Sequence, residues 1–255
     1  MYSIKSTNNV LFKHLQKLYL FSKVRHEYNE AIITGENNIL QAIEAGKLTS
    51  LFLDEITISK YNKIINTTNC RIYTIPNKMI NKLKFDGYYD IFGICKFVNK
   101  SLEDAMYEED CIILESIQDP GNLGTIIRSA SAAGIKHVVL SANSVDLYNP
   151  KVIKASQGCI FKINIYIKID LLSFIKQYKK NIYATVVLNG TNIFDLNLKS
   201  PNAWIFGNEG SGINQNIMQG ILKKVMIPML NHTESLNVAM SATICMFEQL
   251  RQRVV

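Results

Sequence analysis

Residues 227–253 read IPMLNHTESLNVAMSATICMFEQLRQR. A short apolar strand ends at Pro228 and a polar loop follows. Then comes a helix whose apolar positions include Leu236, Ala239, Met240, Thr243, Phe247 and Leu250. Ser235 stands where an N-cap belongs, directly before the periodic run. Ser235 and Asn237 together set a hydroxyl and an amide beside the unpaired N–H groups of the helix mouth. Capping needs only one of them. The same excess of polar groups recurs in residues 119–128, DPGNLGTIIR, and in residues 206–212, FGNEGSG. The three loops are expected to meet in one pocket.

Working outward, residues 111–255 alternate strand and helix patterns. Strands are expected over 111–114, 137–140, 162–167, 182–187, 204–206 and 224–227. Helices are expected over 125–133, 150–157, 171–179 and 214–221, with 119–124 as a loop. This alternation predicts a mostly parallel sheet covered on both faces. Ligands of such sheets bind beyond the carboxyl ends of the strands, and all three polar loops follow strands directly. Residues 28–98 show the same texture on a smaller scale, with strands over 31–34, 50–54, 71–75 and 91–97 and helices over 36–45, 60–67 and 77–83. They predict a small α/β domain and carry no nucleophile–base pair and no metal spacing. Between the two, residues 99–110 hold Glu103, Asp104, Glu108, Glu109 and Asp110, a solvated acidic linker that places the domain boundary. Nine of the 13 glycines and four of the five prolines lie beyond it, which sets the two parts apart in composition.

The totals bound the function. A chain of 255 residues allows one large domain or two ordinary ones, and 47% hydrophobic residues suffice for a core. No uncharged apolar run reaches the length of a membrane span. Five scattered cysteines without CxxC pairing argue against a zinc site or a disulfide framework and suit a reducing compartment, here the cytoplasm. The formal net charge of +7 suggests a polyanionic partner, or solubility alone. Residues 1–26 carry Lys5, Lys13, Lys17, Lys23 and Arg25 and no acid. Asn8 or Asn9 can cap a helix there with Leu11, Leu15, Leu18 and Phe21 on one face. Such a segment is either an organelle presequence or a basic face that lies along a phosphate backbone. In the second case Lys13, Lys17, Lys23 and Arg25 are the candidate phosphate-binding residues, and they become candidate RNA-binding residues under the resemblance described below.

Within the first loop, Pro120 and Gly121 form a turn and Gly124 allows close backbone approach. Asn122 can cap the following helix. Arg128 is flanked by Ile126, Ile127, Ala130 and Ala132, and an arginine in such company needs a carboxylate or a phosphate. In the second loop, Gly207, Gly210 and Gly212 bracket Asn208 and Glu209. The spacing is not GxGxxG, so no nicotinamide dinucleotide is read here and an oxidoreductase is set aside. Either the loop is a plain turn with a solvated Glu209, or it approaches a flat ligand such as an adenine while Glu209 pairs with Arg128 or a cation. His232 is expected to be a loop-surface residue and His137 to open a strand.

The stretches DPGNLGTIIRSASAAG, WIFGNEGSGI and IPMLNHTESLNVAMSA resemble, in order, the three signature motifs of the SpoU/TrmH-type RNA ribose methyltransferases, in the SPOUT superfamily. The intervening VDLYNPKVIKASQGCIFKI is similar too. Ser6, Lys13, Leu15, Leu18 and Arg25 echo the N-terminal RNA-binding extension of some members. The resemblance covers nearly the whole chain and is weak between residues 55 and 90. It implies methyl transfer from S-adenosylmethionine to a ribose 2′-hydroxyl, with no metal. Asn122 and Arg128 match the polar pair of the first motif, Glu209 the acid of the second, and Ser235 and Asn237 the third. Gly207, Ile227, Met229 and Leu236 match positions that hold the cofactor. The resemblance further implies a trefoil knot formed by the last helix, an exception to the rule against threading, and a homodimer through the C-terminal domain. It also implies a separate N-terminal RNA-binding domain over residues 1–98, with the methyltransferase domain over 111–255.

The chain departs from the motifs at Asn231, where relatives commonly have glycine, and at Thr34, where they often have Glu. Asn tolerates left-handed backbone better than most residues. The expected substrate is ribosomal RNA. Transfer RNA under the same chemistry, or a catalytically silent RNA-binding or ribosome-assembly protein, are the alternatives. An arginine is hardly ever neutral, with a pKa above ~12. Arg128 is therefore expected to clamp the developing oxyanion or a neighbouring phosphate, a literal general-base role staying open.

Overall fold

The computed structural model describes every residue except Leu222, His232 and Val255, and Ala105 by its backbone alone. In chain order, the first part runs β1 (Tyr2–Ser3), α1 (Val10–Leu20), α2 (Ser22–Tyr28), β2 (Glu30–Thr34), α3 (Glu36–Glu44), β3 (Leu48–Asp54), α4 (Asn62–Thr67), β4 (Arg71–Ile75), α5 (Asn77–Ile80) and β5 (Ile91–Lys96). The rest runs β6 (Cys111–Leu114), α6 (Pro120–Ala132), β7 (His137–Ser141), α7 (Pro150–Ser156), β8 (Asn164–Ile169), α8 (Leu171–Gln177), β9 (Asn181–Thr185), β10 (Thr191–Asn192), β11 (Asn202–Phe206), α9 (Gln215–Gln219), β12 (Lys223–Met226) and α10 (Val238–Val254). No described helix is long and apolar enough to cross a membrane.

Contacts divide the chain into two compact units, Met1–Val98 with Tyr148–Phe161, and Asn99–Leu147 with Lys162–Val255. The first holds a five-stranded mixed sheet in the order β1-β4-β3-β5-β2, in which β1, β4 and β3 run parallel and β5 is antiparallel to both β3 and β2. Phe12, Leu15 and Leu18 of α1 are buried against the sheet. Asn9 is the cap, accepting from the amides of Leu11 and Phe12, and Phe21 ends the helix in an extended conformation, half exposed. A domain boundary at 99–110 alone would leave Tyr148–Phe161 with the C-terminal part. Instead α7 packs on β2, and Asn37 donates from Nδ2 to the Gln157 carbonyl at 3.1 Å. The expected linker is also not plain coil: Asp104–Glu108 forms a 3-10 turn, and Lys179 pairs with Glu108 at 2.9 Å.

The second unit holds a seven-stranded sheet in the order β10-β12-β9-β11-β6-β7-β8, every pairing parallel. Its central strands β6, CIIL, and β11, NAWIF, are buried at every residue. Strands buried on both faces need such unbroken runs, with the crossover helices as cover. Asn202, the one polar residue of the two, is held at the start of β11, where its amide donates to Asp110 Oδ1 at 3.0 Å. Trp204 donates from Nε1 to Gln249 Oε1 at 2.7 Å, which ties β11 to α10 in the core.

Candidate active site

The first polar stretch is mostly helix, contrary to the loop expected over 119–124. Asp119 is the N-cap of α6, its Oδ1 accepting from the Asn122 amide at 2.7 Å, and Pro120 takes the first helical position. Proline is favoured there because its missing N–H would be unpaired in any case. Asn122 is thus not the cap, and its carboxamide is left for tertiary work. The third stretch differs in the same way. Asn237, not Ser235, caps α10, accepting at Oδ1 from the amides of Ala239 at 2.9 Å and Met240 at 3.2 Å.

The two helix mouths and the glycine-rich loop are joined by side chains. Asn237 donates from Nδ2 to Asn122 Oδ1 at 2.9 Å, and Asn122 donates from Nδ2 to Glu209 Oε1 at 3.0 Å. Glu209 also accepts from the amides of Asp119 and Gln118, both at 3.2 Å. Partial burial pushes its carboxyl upward, but the bonds from Asn122 and from the backbone amides outweigh this and hold it below the usual carboxylate range. The expected pairing of Glu209 with Arg128 or a cation is therefore replaced by one with three N–H groups.

One turn pair further on, Ser129 of α6 bonds Thr243 of α10 at 2.8 Å. Asn122 and Ser129 are seven residues apart, two helical turns, so both face α10. Asn237 and Thr243 advance in the same direction, so α6 and α10 lie side by side and parallel.

A cleft of about 360 Å³ opens beyond the carboxyl ends of β9, β11 and β12. Glu209, Ser235 and Asn237 line it, with Gly207, Ile227, Met229 and Leu236. Val186, Val187 and Ile213 give it apolar walls. None of the loop hydrogen bonds among the described residues engages the backbone of Gly207, Ile227, Met229 or Leu236. Unengaged amides and carbonyls between apolar walls are the donor set that a purine nucleoside bearing a charged amino-acid tail requires. The residues present therefore fit S-adenosylmethionine. Asn231 adopts φ +58°, the left-handed backbone for which Asn substitutes best for glycine. Gly207 serves its own loop first: a Cβ there would stand 2.2 Å from the Gly212 carbonyl carbon and 2.3 Å from the Ile213 nitrogen.

Arg128 is not brought into this group. It is exposed on α6, lines no part of the cleft, and its guanidinium has no hydrogen bond or ion pair among the described residues. The partner expected for it is thus not supplied by the described residues. The Ser235 hydroxyl is likewise exposed and unpaired among them. Lys13, Lys17 and Lys23 are exposed. Arg25 is not a surface cation: it is 4% exposed, and its Nη1 donates to the carbonyls of Leu18 at 2.8 Å and Tyr19 at 3.1 Å. Its charge satisfies the end of α1, which corrects its assignment to RNA. His137 does open β7, where it bonds Glu109 at 3.0 Å and Tyr166 at 3.2 Å. His232 lies outside the described residues.

Two residues that organise the site escaped the motif reading. Asn208 accepts at Oδ1 from the amides of Gly210 and Ser211, both at 3.0 Å, and donates to the Ser116 carbonyl at 2.9 Å. Glu115, 9% exposed, accepts from the Asn214 amide at 2.7 Å. Asn two residues before glycines is an Asx-turn signal and marks the first. Glu115 follows a buried strand and gives no local signal.

The model of the SpoU rRNA Methylase family matches residues 109–247. The chain is 28% identical over 253 residues to the 23S rRNA (guanosine(2553)-2′-O)-methyltransferase RlmP of Bacillus subtilis, covering 97% of this chain and 98% of that protein. A crystal structure of an RNA 2′-O ribose methyltransferase superposes with a TM-score of 0.85 at 28% identity, over 99% of this chain and 100% of that one. The fold is also that of the AdoMet-bound rRNA methyltransferase from Sinorhizobium meliloti, with a TM-score of 0.85, 24% identity, and 98% and 97% of the two chains covered.

Proposed function

We propose a division of labour in this cleft from one premise: the chain belongs to the SpoU rRNA methylase family. It is an RNA methyltransferase that uses S-adenosylmethionine and acts on a ribose 2′-hydroxyl, with ribosomal RNA as its substrate class. The observation that carries the assignment of residues is the hydrogen-bond chain Asn237–Asn122–Glu209, which ties the mouth of α6 to the two loops that line the cleft.

S-adenosylmethionine supplies a methyl group already activated on a sulfonium. Gly207, Ile227, Met229 and Leu236 would hold it through their unengaged backbone groups. The ribose hydroxyl is a poor nucleophile, so the chain's own residues must orient it and favour its alkoxide-like state. Glu209, kept ionised by its three N–H donors, fixes the Asn122 carboxamide, and Asn122 fixes Asn237. The Asn237 carboxamide, held by Asn122, and the Ser235 hydroxyl present a polar rim for the incoming ribose, and such positioning supplies much of the rate. Arg128, exposed and without a partner among the described residues, can meet a phosphate beside the reacting sugar, which favours the electrostatic clamp over a base.

An RNA role for the first unit, as a separate domain, is supported by the exposed Lys13, Lys17 and Lys23. A knot is supported by α10 returning from β12 to lie along α6. A homodimer through the second unit is supported by Met240 and Phe247, 57% and 42% exposed on α10. A cytoplasmic setting suits a ribosomal substrate and five free cysteines.

The test is transfer of a labelled methyl group to ribosomal RNA and, in parallel, to transfer RNA, followed by mapping of 2′-O-methyl positions. Labelling of a single ribosomal ribose is expected. Labelling of transfer RNA alone would move the substrate, and absence of cofactor binding would leave a silent RNA-binding protein.

A further inference from the structure

A second cleft, of about 1020 Å³, lies in the first unit between the start of α1 and the sheet. Tyr2, Tyr28, Tyr73, His14, Glu30 and Arg71 line it. Four aromatic rings stand in a column that ends there. Phe92 stacks on Phe52 with centroids 5.2 Å apart and planes 7° apart, and Phe52 stacks on Tyr73 at 5.1 Å and 14°. Tyr73 meets Tyr2 at 5.5 Å and 33°. Phe92 and Phe52 are fully buried, whereas Tyr2 is 62% exposed, so the column passes from the core to the surface. Tyr2 is held in place by β1, which pairs with β4. The opposite wall carries Tyr28, 51% exposed, with its ring edge-on to His14 at 4.8 Å.

Charge points to an anion. Glu30 is already engaged, accepting a hydrogen bond from His14 at 2.8 Å. The guanidinium of Arg71 is exposed and has no partner among the described residues. Lys17, one turn beyond His14 on the same side of α1, is exposed as well. Aromatic faces beside unmatched cations are the combination that binds single-stranded nucleic acid, by stacking of bases and pairing of phosphates. Bases inside a duplex are stacked on both sides and have no free face for such a column.

We propose that this cleft takes an unpaired nucleotide of the RNA substrate, its base continuing the ring column on Tyr2 and its phosphate held by Arg71. The proposal rests on the RNA methyltransferase reading of the second unit and adds to it a preference for RNA that is not fully paired.

The full chain is titrated by fluorescence anisotropy with a short unstructured oligoribonucleotide and with a blunt duplex of the same sequence. Tighter binding of the single strand is expected. Tyr2→Ala is expected to weaken it about tenfold and Tyr2→Phe to restore it, as for a lost and regained stacking face. Arg71→Gln is expected to lower the salt dependence by about one counterion. Equal binding of the duplex, or a Tyr2→Ala variant with unchanged melting and unchanged affinity, overturns the proposal. Should Tyr2→Ala melt early, photo-cross-linking of 4-thiouridine RNA to the unaltered chain decides: attachment in peptides holding Tyr2, Tyr28 or Tyr73 supports the cleft, and attachment only elsewhere sinks it. Binding of S-adenosylmethionine is measured alongside. Its absence in the unaltered chain would remove the enzymatic reading, while the cross-link still judges the cleft.

Discussion

Asn237 donates a hydrogen bond to Asn122 across 115 residues of sequence, at 2.9 Å. Each does two things at once. Asn237 caps α10 with its oxygen and reaches α6 with its nitrogen. Asn122 accepts from Asn237 and passes the constraint to Glu209. The relay is made of two amides and a carboxylate, so its geometry holds without any proton being moved.

Groups in direct contact do not act independently. Asn122→Ala and Asn237→Ala should each cut methyl transfer steeply, and the double variant should lose much less than the product of the two losses. In urea unfolding the pair should show a coupling energy of about 1 kcal/mol. Strict additivity in both measurements would remove the relay.

Glu209 sets an acid limit. Its carboxyl titrates below the usual range in the folded chain, because the bonds it accepts outweigh its partial burial. A depressed folded value means stabilisation that is present above the unfolded pKa and fades as pH falls through the folded one. Glu209→Gln should remove that part of the acid limb. It should also lose about 1 kcal/mol at neutral pH, the lower part of the range because the group is solvent-exposed. The glutamine would turn an N–H toward the amide of Gln118 or Asp119. Urea unfolding at several pH values checks both statements.

Arg128→Ala should leave unfolding stability within about 0.5 kcal/mol of the parent, as for an exposed side chain with no partner among the described residues. Binding of S-adenosylmethionine should survive and methyl transfer should nearly vanish. Normal turnover by this variant would take Arg128 out of the mechanism.

Arg25 and its basic neighbours should separate cleanly. Arg25→Ala removes a buried guanidinium that serves two helix-end carbonyls, and should cost about 2 kcal/mol of stability. Lys13→Ala and Lys17→Ala should leave stability alone, and each should lower the salt dependence of RNA binding by about one. Calorimetric melting and a salt titration of binding tell the two groups apart.

Most elements could be read from residue pattern because their strands are unbroken apolar runs, as in CIIL and NAWIF. The errors have local causes. Asp119 and Asn122 are both good caps three residues apart, and the proline at position 120 decided for the first. Ser235 and Asn237 posed the same choice at α10, where the bonds go to Asn237. Strands β1 and β10 have two residues each, too short for any periodicity, and exist only through pairing with β4 and β12. Arg25 looked like surface because charge alone does not say that a helix ends five residues earlier with carbonyls to satisfy. The motif residues Asn122, Glu209 and Asn237 could be named from the sequence, but their order in one relay is tertiary information.

The excursion of Tyr148–Phe161 into the first unit bears on how the chain matures. The first unit lacks its last segment until residue 161 has left the ribosome, by which time β6, α6 and β7 have already been made. A fragment cut at the acidic stretch would leave β2 without α7. Synthesis of the two units is therefore interleaved in time, and an early stop or a pause before residue 161 strands both halves unfinished.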